Sequence, residues 1–407
     1  MKLVYAYDVV LGKEESTGRY HHESFHYEFW RNRYASVFRS MELVTRIRSE
    51  TQSASTGLHG AVTQRLQVEG PDMKVRPLDR MSRPWHYITL REWCKREFRE
   101  ALQGDCVLIA RLPSEIGIMG IQTAIEMNKP WMIELVGHPF DSMWYNGSWY
   151  GKGYAPWNRY RIRKLCRIAS HVSYVTQHYL QSDYPTDGRT LGCSDASLDP
   201  ITDERFDLRS LPQGTSKGSF KIGLIGTLAT RYKGLDTAFR ALARLSDYRH
   251  VELSILGGGN PEPWRQLAQE LGVEDRVSFL GVVPSGKPVR DWLDGLDLYI
   301  QPSLTEGLPR GLLEAMSRGV PCLASRVGGI PELLPPERMI EPKDDLALAV
   351  RIKGLIRDEE ERKNAGFADL TKAREYTEQR LSAQWIGFLA EFKDYAANRL
   401  GNDEPFA

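Results

Sequence analysis

Along the carboxy-terminal half, short continuous apolar runs alternate with stretches whose apolar residues recur every third or fourth position. Residues 220–225, 251–256, 277–280, 298–301 and 320–324 have the length and composition of buried strands. Between them, 235–245, 263–271, 289–293 and 309–317 carry helical spacing, and Gly319 closes the last. Strands alternating with helices in this way predict βα units and a parallel sheet covered on both faces.

The amino-terminal half carries a fainter version of the same pattern. Residues 3–10, 41–47, 106–110, 131–136 and 172–176 read as strands, and 25–38, 93–102 and 157–168 as helices. Residues 194–217 are polar, contain Pro200 and Pro212, and end in Gly-Thr-Ser-Lys-Gly, as a linker does. The expected organisation is an α/β domain over 1–200, a linker at 201–217 and a second α/β domain over 218–376. A last helix over 377–407 bears Leu381, Trp385, Phe388, Leu389 and Phe392 at near-helical spacing and is expected to pack back on the first domain. Two Rossmann-like parallel-sheet domains facing across a cleft would bind ligands at the carboxyl ends of their strands.

Composition narrows the function classes. The 407 residues carry 54 Lys and Arg against 53 Asp and Glu, a net charge of +1 that does not advertise nucleic-acid binding. Five scattered cysteines with no C-x-x-C pair fit reduced thiols in a cytoplasmic setting. The apolar run from Leu3 to Tyr7 is cut by Asp8 and is too short for a signal peptide. No stretch approaches the roughly 18–20 apolar residues that span a bilayer. A cytoplasmic protein is expected, with the inner face of the membrane as a place it can attach. Basic and aromatic residues gather at 74–99 and 159–167, either as solvated helix faces or as a surface for anionic lipid headgroups.

The most specific run is Pro302-Ser-Leu-Thr-Glu306-Gly-Leu-Pro-Arg-Gly-Leu-Leu-Glu314, continuing Ala-Met-Ser-Arg-Gly-Val-Pro321. A strand ends, a loop carries Glu306, and Pro309 opens a helix where its missing N–H costs nothing. The amides of Gly307, Leu308 and Arg310 would point out of the helix start, where donors and dipole together favour a diphosphate. Glu314, on that helix, could accept both hydroxyls of a ribose. Taken singly, Glu306 and Glu314 are ordinary helix acids; the complete run argues otherwise.

This segment is similar to the E-x7-E signature of the retaining nucleotide-sugar glycosyltransferases of family 4, which have the two-domain GT-B fold. The likeness extends over Gly226-Thr-Leu-Ala-Thr-Arg231-Tyr-Lys233-Gly234, Leu256-Gly-Gly-Gly, Leu298-Tyr-Ile-Gln-Pro-Ser303 and Gly328-Gly-Ile-Pro-Glu332, about residues 218–335. The resemblance implies a first domain on the acceptor side and a second that binds the nucleotide sugar. Lys233, with Gly226, would contact the donor diphosphate, Glu306 the sugar hydroxyls and Glu314 the ribose. Thr227 stands where the family usually has arginine, so either Arg231 replaces it or the diphosphate is held differently. In the first domain, Gly18 in Thr17-Gly18-Arg19 is the candidate for the family's glycine loop, and a simple turn is the competing reading. His138, directly after the 131–136 strand, is the candidate for the histidine that members bring to the reaction.

No cofactor and no metal are expected. There is no D-x-D pair, no H-E-x-x-H and no cysteine cluster, so the helix dipole and Lys233 would do the work of a cation. The implied partners are a nucleotide sugar and a glycan, lipid-linked or small-molecule acceptor, in bacterial-type surface polysaccharide or glycoconjugate synthesis. A nucleotide-sugar epimerase of the same fold and a non-catalytic nucleotide-sugar binding protein are the competing classes.

Overall fold

The computed structural model describes residues 1–22, 25–49, 66–81, 85–145, 149–196, 198–201 and 219–402. All but the first residue of the expected 201–217 linker lies outside them. The chain divides into two compact units. One comprises Met1–Pro139, Pro156–Cys193 and Ser382–Ala407; the other comprises Phe140–Ala155 and Ser194–Leu381. The boundaries therefore differ from a simple halving of the sequence, because Phe140–Ala155 belongs to the second unit.

The first unit is built on a nine-stranded sheet. Its strands are β1 (Lys2–Lys13), β2 (Tyr20–His22), β3 (Ser40–Ser49), β4 (Leu66–Gln67), β5 (Met73–Leu78), β6 (Cys106–Leu112), β7 (Trp131–Leu135), β8 (His171–Tyr174) and β9 (Arg189–Gly192). Parallel pairing runs β5-β3-β1-β6-β7-β8-β9, while β2 turns back antiparallel on β1 and β4 on β2. The strands β6 and β7 are buried at every position, as the continuous apolar runs predict. Pro77 in β5 is tolerated because that strand is an edge.

Three helices of this unit matter below: α1 (Arg91–Ala101), α2 (Glu115–Glu126) and α3 (Trp149–Ile168), the last of which crosses into the second unit at its start. The helix expected at 157–168 begins eight residues earlier and holds Pro156 in its interior. The one expected at 25–38 is only Tyr27–Trp30 followed by a wide π turn over Arg31–Ala35. Trp30 and Tyr34 on that segment pack their rings 5.0 and 5.3 Å from Tyr5. Helix α2 has no counterpart in the periodicity reading. It is buried nearly all round, so it lacks the polar face that makes a helix visible in sequence.

The second unit holds a six-stranded, wholly parallel sheet. Its strands are β10 (Phe220–Ile225), β11 (Val251–Leu256), β12 (Val277–Gly281), β13 (Leu298–Gln301), β14 (Cys322–Ser325) and β15 (Met339–Ile340), in the order β12-β11-β10-β13-β14-β15. Helices α4 (Leu235–Ala243), α5 (Glu262–Glu270), α6 (Lys287–Asp294), α7 (Arg310–Ser317), α8 (Asp345–Arg357) and α9 (Glu359–Ala373) connect and cover them. Leu224, Leu253 and Ile255 of the sheet form one core with Phe239 and Leu242 of α4 and Ile352 and Leu355 of α8. Strand order reverses between β10 and β13, so the loops leaving these two strands flank a topological switch point.

The closing helix α10 (Glu378–Asn402) is docked on the first unit. Trp385 lies 6.1 Å from Tyr34 and 4.1 Å beneath the Arg33 guanidinium, and Phe388 and Phe392 flank His171. All five cysteines are buried, and none is in a disulfide. Burial pushes the Cys94 and Cys166 thiols up to about 12, which makes them inert packing groups at neutral pH. Among the described residues no helix is long and apolar enough to cross a membrane.

Candidate functional site

At the switch point of the second sheet, the loop after β10 carries Gly226 to Gly234 and the loop after β13 carries Pro302 to Pro309. Two glycines let these loops close on their neighbours. Gly234 has φ +71°, and a Cβ there would stand 1.8 Å from the Pro302 carbonyl oxygen. Gly328, at φ +57° after β14, passes so close that a Cβ would stand 2.0 Å from the Glu306 carbonyl oxygen. A side chain at either position would push apart the loops that hold Lys233 and Glu306.

Glu306 is the hub. Its Oε1 accepts from Lys233 Nζ at 2.7 Å, Gln301 Nε2 at 2.9 Å and Ser303 Oγ at 2.6 Å. The supporting chain reaches into the core. The Ile225 amide donates to the Tyr299 hydroxyl at 3.3 Å, and that hydroxyl donates to Gln301 Oε1 at 2.7 Å. Gln301 and Ser303 are fully buried, and a buried network of this kind holds a carboxylate in one orientation because every member is satisfied. All three donors meet on Oε1, which leaves Oε2 outside the network. Burial lowers the Lys233 pKa, but the Glu306 charge, Tyr232 and the hydrogen bonds outweigh it, so the ammonium is held above its usual range. Lys233 also lies 5.0 Å from the Tyr232 ring centroid.

Beyond Glu306, Gly307 accepts from the Gly329 amide at 2.7 Å and Leu308 is buried. Pro309 is the N-cap of α7 rather than its first residue, and no side chain caps the first-turn amides. Glu314 lies half-buried on this helix. Burial raises its carboxyl pKa, against a partial downward pull from Arg310 and Arg290. Next to Glu306, Thr305 Oγ1 donates to Asp141 Oδ2 at 3.0 Å, from the Phe140–Ala155 segment that belongs to this unit.

Thr227 and Arg231, on the phosphate side of the candidate site, are engaged differently. Thr227 turns its hydroxyl onto the backbone, 3.4 Å from the Gly258 carbonyl and 3.2 Å from the Ala229 amide. Arg231 is exposed on the same loop, 5.9 Å over the Trp264 ring. Gln301 lies in the Leu298–Ser303 run but was given no role there, and Asp141 was not singled out. The signal for Gln301 is a polar residue closing an otherwise apolar strand; Asp141 carries none.

His138 and Gly18 belong to the first unit. His138 follows β7 directly, and its Nε2 is 2.9 Å from Asp183 Oδ2. Arg159 is paired with the other oxygen of the same carboxylate, and the rings of Tyr179 and Tyr184 flank the imidazole at 5.6 and 5.2 Å. An ionised carboxylate can only accept, so the contact makes Nε2 the protonated nitrogen. Gly18, with φ +69°, closes the exposed hairpin between β1 and β2, where Glu14 bonds both Gly18 and Arg19 through the backbone. Its conformation is explained by that turn. Nearby, Gly12 of β1 does face a close neighbour: a Cβ there would stand 2.2 Å from the His21 ring.

Residues 219–358 match the family described as "Glycosyl transferases group 1". The chain is 31% identical to Protein CapJ of Staphylococcus aureus over 363 residues, 88% of this chain and 86% of CapJ. The chain belongs to the glycosyl transferases group 1 family. Among solved structures it is similar to HepE of Anabaena, determined with UDP and glucose, at a TM-score of 0.64 and 16% identity over 99% of this chain and 100% of HepE. It is also similar to WaaG, a glycosyltransferase involved in lipopolysaccharide biosynthesis, at a TM-score of 0.63 and 15% identity over 96% and 99%. The fold of this glycosyltransferase is therefore GT-B, and its relatives work in polysaccharide and glycoconjugate biosynthesis.

Proposed function

We propose that this glycosyltransferase moves a sugar from a nucleoside-diphosphate donor to a hydroxyl acceptor with retention at the anomeric carbon. The acceptor would be a glycan, a lipid-linked saccharide or a small molecule on the way to a surface polysaccharide or glycoconjugate. The observation that carries the reading is the convergence of Lys233, Gln301 and Ser303 on one oxygen of Glu306 at the β10–β13 switch point.

In this reading Glu306 Oε2 accepts from a donor-sugar hydroxyl, while the uncapped amides at Gly307, Leu308 and the start of α7 receive the diphosphate. Lys233 stabilises the charge that grows on the departing phosphate, with Gly226 letting the backbone approach it. Glu314 accepts from the ribose hydroxyls. Arg231 swings from Trp264 toward the phosphates, since the Thr227 hydroxyl is engaged with Gly258. The bond from the anomeric carbon to the phosphate oxygen breaks, and the acceptor oxygen bonds to that carbon on the same face. The acceptor proton passes to the departing phosphate. His138 serves as a further group of the same reaction, and no metal is required. HepE, solved with UDP and glucose, supports a nucleotide-sugar donor of this chemistry.

A thermal-shift screen against nucleoside diphosphates and their sugars tests the donor class. A true ligand at 100 times its Kd adds about 2.7 kcal/mol and raises the melting temperature. Release of nucleoside diphosphate only when a sugar acceptor is supplied separates transfer from binding alone. Conversion of the nucleotide sugar itself, without acceptor, would instead indicate an epimerase.

A further inference from the structure

We propose that the outer face of α3 over residues 156–168 is a docking surface for an anionic lipid bilayer. This stretch lies wholly in the first unit. Its inner side is set by Asn158, Ile162 and Cys166, all buried, with Asn158 Nδ2 donating to the Pro139 carbonyl at 3.0 Å. The opposite side is apolar where water would ordinarily select polar residues. Trp157 is 53% exposed, Tyr160 60% and Ile168 55%, and the first two stack their rings at 5.9 Å and 26°. At about 100° per residue these three and Lys164 fall on one stripe of the helix.

The charge on this stretch has one sign. Residues 156–168 contain Arg159, Arg161, Arg163, Lys164 and Arg167 and no acid. Arg159 and Arg161 turn to Asp183 and Glu115, and Arg167 pairs with Asp187. Arg163 and Lys164 are exposed and enter no ion pair among the described residues. Indole and phenol rings are suited to the boundary between hydrocarbon and water, and unneutralised Lys and Arg beside them meet anionic headgroups. A protein partner fits less well, because the centres of protein interfaces are depleted in lysine. Nucleic acid fits less well because the chain as a whole carries a net charge of only +1.

The test uses the full chain and no sugar donor, so it stands apart from the glycosyl-transfer reading. Co-sedimentation is measured with vesicles of phosphatidylcholine alone and of phosphatidylcholine with phosphatidylglycerol. The anionic vesicles should bind at least about tenfold more tightly, and binding should weaken with salt. The pair Trp157→Ala/Tyr160→Ala and the pair Arg163→Glu/Lys164→Glu should each lower that binding about tenfold or more, with unchanged melting temperature, since all four side chains are exposed. Absence of vesicle binding, or binding that both variant pairs leave intact, overturns the proposal. So does binding to soluble heparin as tight as to the anionic vesicles.

Discussion

The Lys233 ammonium donates to Glu306 Oε1 at 2.7 Å across 73 positions of sequence, and Gln301 and Ser303 donate to the same oxygen. A half-buried lysine so close to a carboxylate is usually a structural pair. Here the pair lies at the end of a parallel sheet where its strand order reverses, and Glu306 keeps its second oxygen out of the network. The arrangement holds a cation and an oriented acceptor ready side by side.

Lys233→Ala should therefore lower kcat/KM by about a hundredfold or more, because charge on the departing phosphate loses its nearest cation. Thr227→Arg should be neutral or activating, since it restores a cation where Arg231 reaches imperfectly. Steady-state kinetics with the donor identified by the thermal screen checks both. Near wild-type activity in the Lys233 variant would remove the diphosphate role.

Glu314 couples affinity and pH. Burial raises its carboxyl pKa, and only the ionised form accepts two hydroxyls. Nucleotide affinity should thus fall, on acidification, at a higher pH than an ordinary glutamate would set. The sign for stability is opposite: a raised folded-state pKa means that protonation favours the folded state, and the ionised group is a cost at neutral pH. Glu314→Gln should leave the melting temperature unchanged or higher while weakening nucleoside-diphosphate binding by about 1–3 kcal/mol in calorimetry. Unchanged nucleoside-diphosphate affinity would count against the ribose role.

Asp183 holds His138 at 2.9 Å, so the two should act as a unit. Asp183→Asn and His138→Ala should each lower kcat about tenfold or more with donor KM little changed. The double variant should lose little beyond either single one, and Asp183→Glu should recover part of the loss. Fully additive losses would separate the two residues.

The second unit was far more legible than the first, for a physical reason. Its wholly parallel sheet gives runs such as 251–256 flanked by amphipathic helices, and five of its six strands were placed within a few residues; the two-residue β15 is too short to leave a pattern. In the first unit, α2 is buried on nearly every face and offers no period, and the edge strand β5 carries Lys74, Arg76 and Pro77. The glycine and glutamate punctuation of 302–314 marked the candidate site, and the close approaches of Gly234 to Pro302 and Gly328 to Glu306 explain the glycines that flank it. Asp141 and Asp183 were invisible, since each is defined by a partner distant in sequence.

Asp369 provides a stability prediction away from the site. It is fully buried, pairs with Arg338 at 2.5 Å and accepts from the Cys322 amide at 3.0 Å, tying α9 to β14. Asp369→Asn should destabilise the fold by about 3–5 kcal/mol, because a nearly buried guanidinium loses its counter-charge. Chemical denaturation measures it, and a change under about 1 kcal/mol would show the pair to be dispensable.

Same-face transfer organised by Lys233 and Glu306 without a metal leaves its mark on the product. The most direct measurement is the anomeric configuration of the product, followed by NMR from a nucleotide sugar of known configuration, with and without EDTA. The donor configuration should be kept, at a rate that EDTA leaves largely intact. An inverted product would contradict retention, and activity abolished by EDTA and restored by manganese would contradict the metal-free assignment.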